Sequence, residues 1–245
     1  MRTFALLVLT ILLVGGTANA TVIYDANQYF AASELGVEGN PFGPFSAGHS
    51  DESNPGGFAL FGSSEHTNSY RDFGQAKIQG YFFDNNASDP AVVVNVDPSN
   101  SVTTDYGSIL GANQIMMHPG GIGPDATAPP IHDAILRFTA PTTGSYTITG
   151  DWESLHSGIT RNSILHNGIE LFSSTADDSL FDLAQFLNTG DTVDFVVNKN
   201  HASGWGIGGD STGLRVSLTT IPEPSTALLL GLGLAGMAAG RRRGR

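Results

Sequence analysis

Apolar side chains recur at every second position in short stretches of this chain, and turn-forming clusters separate the stretches. Across 144–153, Tyr146, Ile148, Gly150 and Trp152 alternate with Ser145, Thr147, Thr149 and Asp151. That is the pattern of a strand with one face on a core and the other in water. Period-2 and β-branched signals predict further strands at 22–24, 57–61, 76–83, 91–96, 114–118, 134–139, 163–171, 192–198 and 213–221. Asn, Asp, Gly, Pro and Ser clusters between them supply turns. Long stretches with a 3.6-residue period are missing, and the single short helix expected lies around 180–186. Segments 38–54 and 120–130, rich in small and turn-forming residues, read as long loops. The expectation is an all-β chain without internal repeats.

The two ends break this pattern. Arg2, an apolar run over 4–14 and Ala18-Asn19-Ala20 have the order of a secretory signal peptide, which places 1–20 outside the fold and starts the mature chain at Thr21. At the other end stand Pro222-Glu223-Pro224, an apolar run over 226–240, and Arg241, Arg242, Arg243 and Arg245. The run is short of the roughly 20 residues of a full span, so crossing a bilayer requires thinning or snorkelling flanks. Basic residues at its end favour the cytoplasmic side and leave everything before Pro222 across the membrane. Between the ends, 21–221 suffices for one β-sandwich with a sizeable core.

A Pro-Glu-Pro, an apolar helix and a basic end, in that order, resemble the PEP-CTERM sorting signal of bacterial surface and exopolysaccharide-associated proteins. The resemblance implies that 222–245 is recognised by an exosortase, a membrane-embedded processing enzyme. Pro222, Glu223, Pro224, Arg241, Arg242 and Arg243 are then sorting residues, acted on by another protein. An ordinary C-terminal anchor that is never cut is the competing reading.

Composition narrows the chemistry. The chain has no cysteine, so a disulfide scaffold, a zinc–thiolate site and a cysteine nucleophile are excluded. Residues 21–221 hold six basic side chains (Arg71, Lys77, Arg137, Arg161, Lys199, Arg215) against 22 acidic ones, a formal charge of −16. Nucleic acid and anionic membrane surfaces are poor partners for such a segment, which suits solvated exteriors, neutral or cationic ligands, or divalent cations.

Several motifs follow one another through the body: Asn40-Pro41-Phe42-Gly43-Pro44-Phe45-Ser46-Ala47-Gly48, Met117-His118-Pro119-Gly120, 134–146 with Arg137 and Pro141, His166-Asn167-Gly168, 190–197, and Asp210-Ser211-Thr212-Gly213-Leu214. This ordered set resembles a module of secreted bacterial proteins with a jelly-roll, galactose-binding-like β-sandwich similar to carbohydrate-binding modules. Phe45 and Phe138 stand where that pattern often has tryptophan. The resemblance implies a single sandwich over 21–221 and no catalytic activity. By analogy with jelly-roll modules that hold a structural calcium near the two chain ends, Asp25 and Asp210 are candidate ligands. The competing role for Asp210 is a turn cap.

Enzyme signals are weak. Gly209-Asp210-Ser211-Thr212-Gly213 fits G-x-S-x-G, but an alternating strand follows the serine and no histidine lies beyond His201. Histidines lie near carboxylates at His49/Asp51/Glu52, Glu65/His66, His132/Asp133 and Asp151/Glu153/His156 without a tight ligand spacing. A carboxylate pair across a sugar cleft, as in glycosidases, stays open as a third reading. For a glycan ligand an aromatic platform is needed. Trp205, between glycines in 201–209, is the leading candidate, with Tyr70, Arg71 and His156 secondary; Trp205 equally suits a cover over the sandwich end. Trp152 belongs to the inward set and Asp191 to a turn. The expected function is that of an exported envelope or matrix protein that binds extracellular polysaccharide weakly, or else a structural or adhesive protein without a small ligand.

Overall fold

The computed structural model describes residues 21–32, 40–51, 57–61, 66–67, 78–82, 90–104, 107–121, 131–156, 158–175, 178–199 and 210–221. In chain order the elements are β1 (Ile23–Asp25), α1 (Ala26–Ala32), β2 (Phe45–Asp51), β3 (Ala59–Leu60), β4 (His66–Thr67), β5 (Ile78–Phe82), β6 (Ala91–Asn95), β7 (Val102–Thr103), β8 (Ile109–Leu110) and β9 (Ile115–His118). They continue with β10 (Gly120–Gly121), β11 (Ile131–Thr139), β12 (Gly144–Ser154), β13 (Thr160–His166), β14 (Ile169–Ser174), β15 (Asp178–Leu187), β16 (Thr192–Lys199) and β17 (Thr212–Ile221).

Two antiparallel sheets form a sandwich. The larger runs β15-β12-β17-β9-β6-β5-β4, with β1 also on β17; the smaller runs β14-β13-β16-β11-β2-β3, with β10 also on β11. Inward side chains of both sheets merge into one core. Tyr146, Ile148 and Trp152 of β12 and Leu214, Val216 and Leu218 of β17 share it with Phe45, Leu136, Phe138 and Phe195 of the smaller sheet. Burying each such side chain contributes about 1.5–3 kcal/mol before the entropy cost of ordering. The all-β expectation from the alternation in 144–153 is met.

Strand β6 is buried along its whole length because it is covered twice. Val92 and Val94 face the sandwich core, while Ala91 and Val93 join Ile78, Met116, Val102 and Leu110 in a second cluster. Val102 and Leu110 belong to β7 and β8, which pair as a short ribbon.

Four local expectations are corrected. Segment 180–186 is not a helix but most of β15, paired with β12 from Gly144↔Leu187 to Glu153↔Asp178. The pattern there suits either period, and a ten-residue ladder decides for the strand. Segment 163–171 is two strands, not one. Asn167 and Gly168, both at positive φ (49° and 79°), turn the chain between His166 and Ile169, as a two-residue hairpin loop requires. The expected loop 38–54 contains β2, an interior strand of the smaller sheet paired with β11 and β3. Finally, α1 was not foreseen; the Asp25 carboxylate caps it by accepting the Gln28 backbone N–H at 3.0 Å.

Gly150 shows how the core is fitted. A Cβ there would lie 2.1 Å from the Arg215 carbonyl and 2.6 Å from the Phe181 ring. The missing side chain admits Phe181, which packs 6.2 Å from both Trp152 and Phe195 between ring centroids.

Candidate functional site

The strand directions give the sandwich two different poles. At one, β1 and β17 close the fold: Val22 N donates to Thr220 Oγ1 at 2.8 Å and Thr220 N donates to Val22 O at 2.9 Å. The first residue of the fold and the last residue before the tail, Ile221, therefore lie side by side. We call this the tail pole. The opposite pole gathers the start of β17 and β13 and the ends of β2, β9, β12 and β16.

At this loop pole the inward-facing rows change from apolar to polar. On β11 the row Phe138, Leu136, Ala134 ends in His132, and on β2 the row Phe45, Ala47 ends in His49, all of them buried. The two imidazoles meet edge to face at 5.3 Å between centroids. His132 Nδ1 donates to the Ser50 carbonyl at 2.8 Å, which fixes the proton on that nitrogen in the neutral ring. Across the sandwich, Thr160 of β13 donates to Asn162 Oδ1 at 3.0 Å. Its hydroxyl also lies 2.9 Å from Thr212 Oγ1 of β17, which must supply the proton of that bond. All three residues are buried, so this polar row ties the two sheets together at the pole.

The outward face of the smaller sheet is polar beside the same pole. Asp133 accepts from Ser50 Oγ at 2.5 Å and from Asn198 Nδ2. Further along, Arg137 holds Asp194 with two parallel bonds of 2.6 and 2.7 Å, and its guanidinium lies 4.0 Å over the Phe58 ring. These contacts are saturated within the fold and have the character of structural ties.

Of the sequence candidates, His156 and Asp210 come together at the loop pole. Ser154 pairs with Thr212, Leu155 N donates to Ser211 O at 3.0 Å, and Ser154 Oγ donates to His156 O at 2.7 Å. Asp210 is buried there. Trp205, Tyr70 and Arg71 lie outside the described residues, as do Pro222, Glu223, Pro224, Arg241, Arg242 and Arg243. Lys199 and Asp210, which flank the segment carrying Trp205, both sit at the loop pole, since Lys199 pairs with Thr160. Asp25 is not brought to Asp210. It pairs with Ser217, and the five residues of β17 from there to Thr212 span about 16 Å, so the two carboxylates do not share one cation. Among the described residues no group of three or more His, Asp or Glu is arranged to hold a metal ion. Ser211 is followed by strand β17, not by the helix a nucleophile elbow requires. Trp152 is fully buried, as its alternation implied.

The sequence reading missed the meeting of His49 and His132, which it had placed in separate groups. The signal was present: each histidine continues an inward, every-second-residue row. Register between β2 and β11 brings them together, and register is not written locally.

The tail pole has its own features. Asp191 accepts bonds from Asn167 Nδ2 at 3.0 Å and from the Asn188 backbone N–H at 2.8 Å, and lies 3.4 Å from His166 Nε2. Those bonds, led by Asn167, hold its carboxyl at about 2, below the usual 3.8. Beside β1 an open groove of about 560 Å³ is lined by Tyr24, Pro41, Pro44, Ser46, Leu60 and Pro141, among others. Burial pushes the Tyr24 hydroxyl pKa up, with Tyr146 and Tyr29 adding to the effect and a bond from Thr142 opposing it.

The fold and its closed ends thus define a two-sheet antiparallel sandwich with a C-terminal extension leaving one pole. That extension is the PEP-CTERM protein-sorting motif, whose family model matches residues 220–243. The motif marks an exported protein. No curated protein matches the chain. Among solved structures, a family 35 carbohydrate-binding module from Paenibacillus barcinonensis is 15% identical, with 59% of this chain and 93% of that one covered and a TM-score of 0.26. The family 51 carbohydrate-binding module of Clostridium perfringens GH95, in complex with methyl-galactose, is 13% identical over 50% and 80% of the two chains, with a TM-score of 0.29. Pika GITRL is 16% identical over 37% and 74%, with a TM-score of 0.27. Likenesses this partial leave the sandwich to be established by its own strands. Among the described residues no helix is long and apolar enough to cross a membrane.

Proposed function

We propose that this chain is an exported protein of the cell envelope or extracellular matrix, processed through its tail by an exosortase-type enzyme, whose sandwich binds extracellular polysaccharide weakly at the loop pole. The sorting motif over 220–243 carries the reading. Position supports the rest of it. With the tail leaving beside Val22 and Thr220, an anchored copy holds the loop pole away from the membrane. A ligand site facing outward belongs there, beside Lys199 and Asp210 and next to His156. A neutral glycan is the ligand class that suits an acidic sandwich of formal charge −16 over residues 21–221. Its recognition would combine the Trp205 ring with the hydrogen-bonding groups of the loops, and Tyr70 and Arg71 are secondary candidates. A calcium ion at the loop pole would use Asp210 without Asp25.

The experiment is a pull-down of residues 21–221 on the producing cell's own exopolysaccharide, with and without EDTA, comparing the unaltered chain with Trp205→Ala. The expected result is retention of the unaltered chain and loss in the variant; EDTA sensitivity would add a cation. No retention under any condition would remove glycan binding for that matrix. A second reading, an adhesive protein without a small ligand, is favoured by one specific feature, the edge of β15 that has no partner strand among the described residues.

A further inference from the structure

Strand β15 is the outermost strand of the larger sheet and pairs with β12 over its whole length without a bulge. Among the described residues its other edge has no partner strand. Exposed edges invite pairing with another chain, and proteins usually blunt them with charged side chains, lysine above all, or with proline, a bulge or a very short strand. The ten residues Asp178–Leu187, in sequence DSLFDLAQFL, carry no lysine, proline or bulge, and their charges are Asp178 at the first position and Asp182 near the middle. Instead Leu180 and Phe186 stand on the outer face at 83% and 53% exposure, with Asp182 and Ala184 between them.

We infer that β15 pairs antiparallel with β15 of a second copy of this chain, with Leu183 opposite the partner's Leu183, so that the larger sheet runs through both molecules. A closed pair of identical edges is related by a two-fold axis, and only the antiparallel ladder exchanges its hydrogen bonds symmetrically. Residues directly opposite in a sheet share a face, so each register sets outer residues against outer residues. Centred on Asp182, the ladder would place two carboxylates directly opposite, which is destabilising. Centred on Leu183, it sets Leu180 against the partner's Phe186 and Asp182 against the partner's Ala184. On the inner face it sets Phe181 against the partner's Gln185. Leu180 and Phe186 lose their exposure, and no carboxylate of the strand meets another.

Direction gives this pairing a consequence. Strands β15 and β17 both run from the loop pole to the tail pole, each being antiparallel to β12. An antiparallel β15 pair therefore points the two tail poles in opposite directions. Copies anchored by their tails in one membrane cannot pair this way, whereas copies on two facing surfaces, or copies released from their tails, can. A single strand edge buries little area and makes a weak pair. Many copies on each surface turn it into firm adhesion.

The test is sedimentation equilibrium on the chain ending at Ile221, which retains every strand from β1 to β17, and on the full chain in mild detergent. Both should show a reversible monomer–dimer equilibrium, weakened at least tenfold by Leu180→Lys with an unchanged circular dichroism spectrum. Register is read by cross-linking, since the chain has no cysteine of its own. Asp182→Cys mixed with Ala184→Cys should form a disulfide between copies under mild oxidation, and either variant alone should form far less. A chain that stays monomeric at its solubility limit overturns the inference. So does a dimer that ignores Leu180→Lys, or one that fails to give the mixed cross-link. None of these measurements contains a glycan, so their failure leaves the glycan reading untouched.

Discussion

The side chain of Asn27 takes the place of a strand beside Val216. The edge of β17 is shared by β9, opposite Thr212 to Leu214, and by β1, opposite Ser217 to Thr219. In the gap between them Asn27 Oδ1 accepts the Val216 backbone N–H at 3.1 Å, and Asn27 Nδ2 donates to the Leu214 carbonyl at 2.9 Å. A primary amide has the donor and acceptor of a peptide group, so it continues the ladder where the backbone does not reach.

Replacing Asn27 with alanine leaves two buried backbone groups unmade. At about 1–3 kcal/mol for each, the loss should be about 2–6 kcal/mol in urea unfolding of residues 21–221. Asn27→Asp keeps the acceptor for Val216 but sets a buried, ionised oxygen against the Leu214 carbonyl, so above pH 6 it should be no more stable than the alanine variant. A wild-type midpoint for Asn27→Ala would contradict the bridging role.

Arg137 and Asp194 make a different kind of tie. The Asp194 side chain is 3% exposed, and it is held at 2.6 and 2.7 Å by the guanidinium fork. Removing one partner of such a pair costs about 3–5 kcal/mol because a buried charge is left uncompensated. Arg137→Met, which leaves the buried Asp194 carboxylate alone, should therefore be severely destabilised, and Arg137→Lys should not restore the parallel bonds. Pairing Arg137→Met with Asp194→Leu should cost less than Arg137→Met alone. Additive losses in thermal melts would argue against coupling.

Much of this architecture was legible beforehand. Alternation in 144–153 gave β12 its inward Tyr146, Ile148 and Trp152, and the turn role expected of Asp191 is the one it plays at Asn188. What escaped were features decided by partners distant in sequence. Phe45-Ser46-Ala47-Gly48-His49 lacks β-branched residues, yet it is an interior strand because β11 and β3 flank it. Leu180 to Phe186 satisfies both periods, and only β12 resolves them. At the site, His49 lay in the expected loop 38–54 and His132 just before the expected strand 134–139, and it takes the register of two strands, β2 and β11, to show them in contact. The Asn167-Gly168 turn, by contrast, was fully signalled by its dipeptide and was read through as strand.

Asp191 should give stability a specific acid limb. Its carboxyl titrates at about 2 in the fold against an ordinary 3.8, chiefly through the Asn167 bond and then the Asn188 backbone bond. A depressed carboxyl stabilises the fold fully above the unfolded value and loses that contribution as pH falls from about 4 to about 2. Unfolding free energies measured across that window should decline for the unaltered chain and decline less for Asp191→Asn. Parallel pH profiles for the two would show that Asp191 contributes nothing there.

The most direct measurement of the whole account follows the fate of the tail in the producing cell. Chains carrying Pro222, Glu223 and Pro224, and chains with all three replaced by alanine, are to be compared for size and for accessibility of the sandwich to antibody on intact cells. The account expects a shortened, surface-accessible or released sandwich from the first and a full-length, membrane-retained chain from the second. Equal size and equal location for both would contradict delivery through the sorting tail.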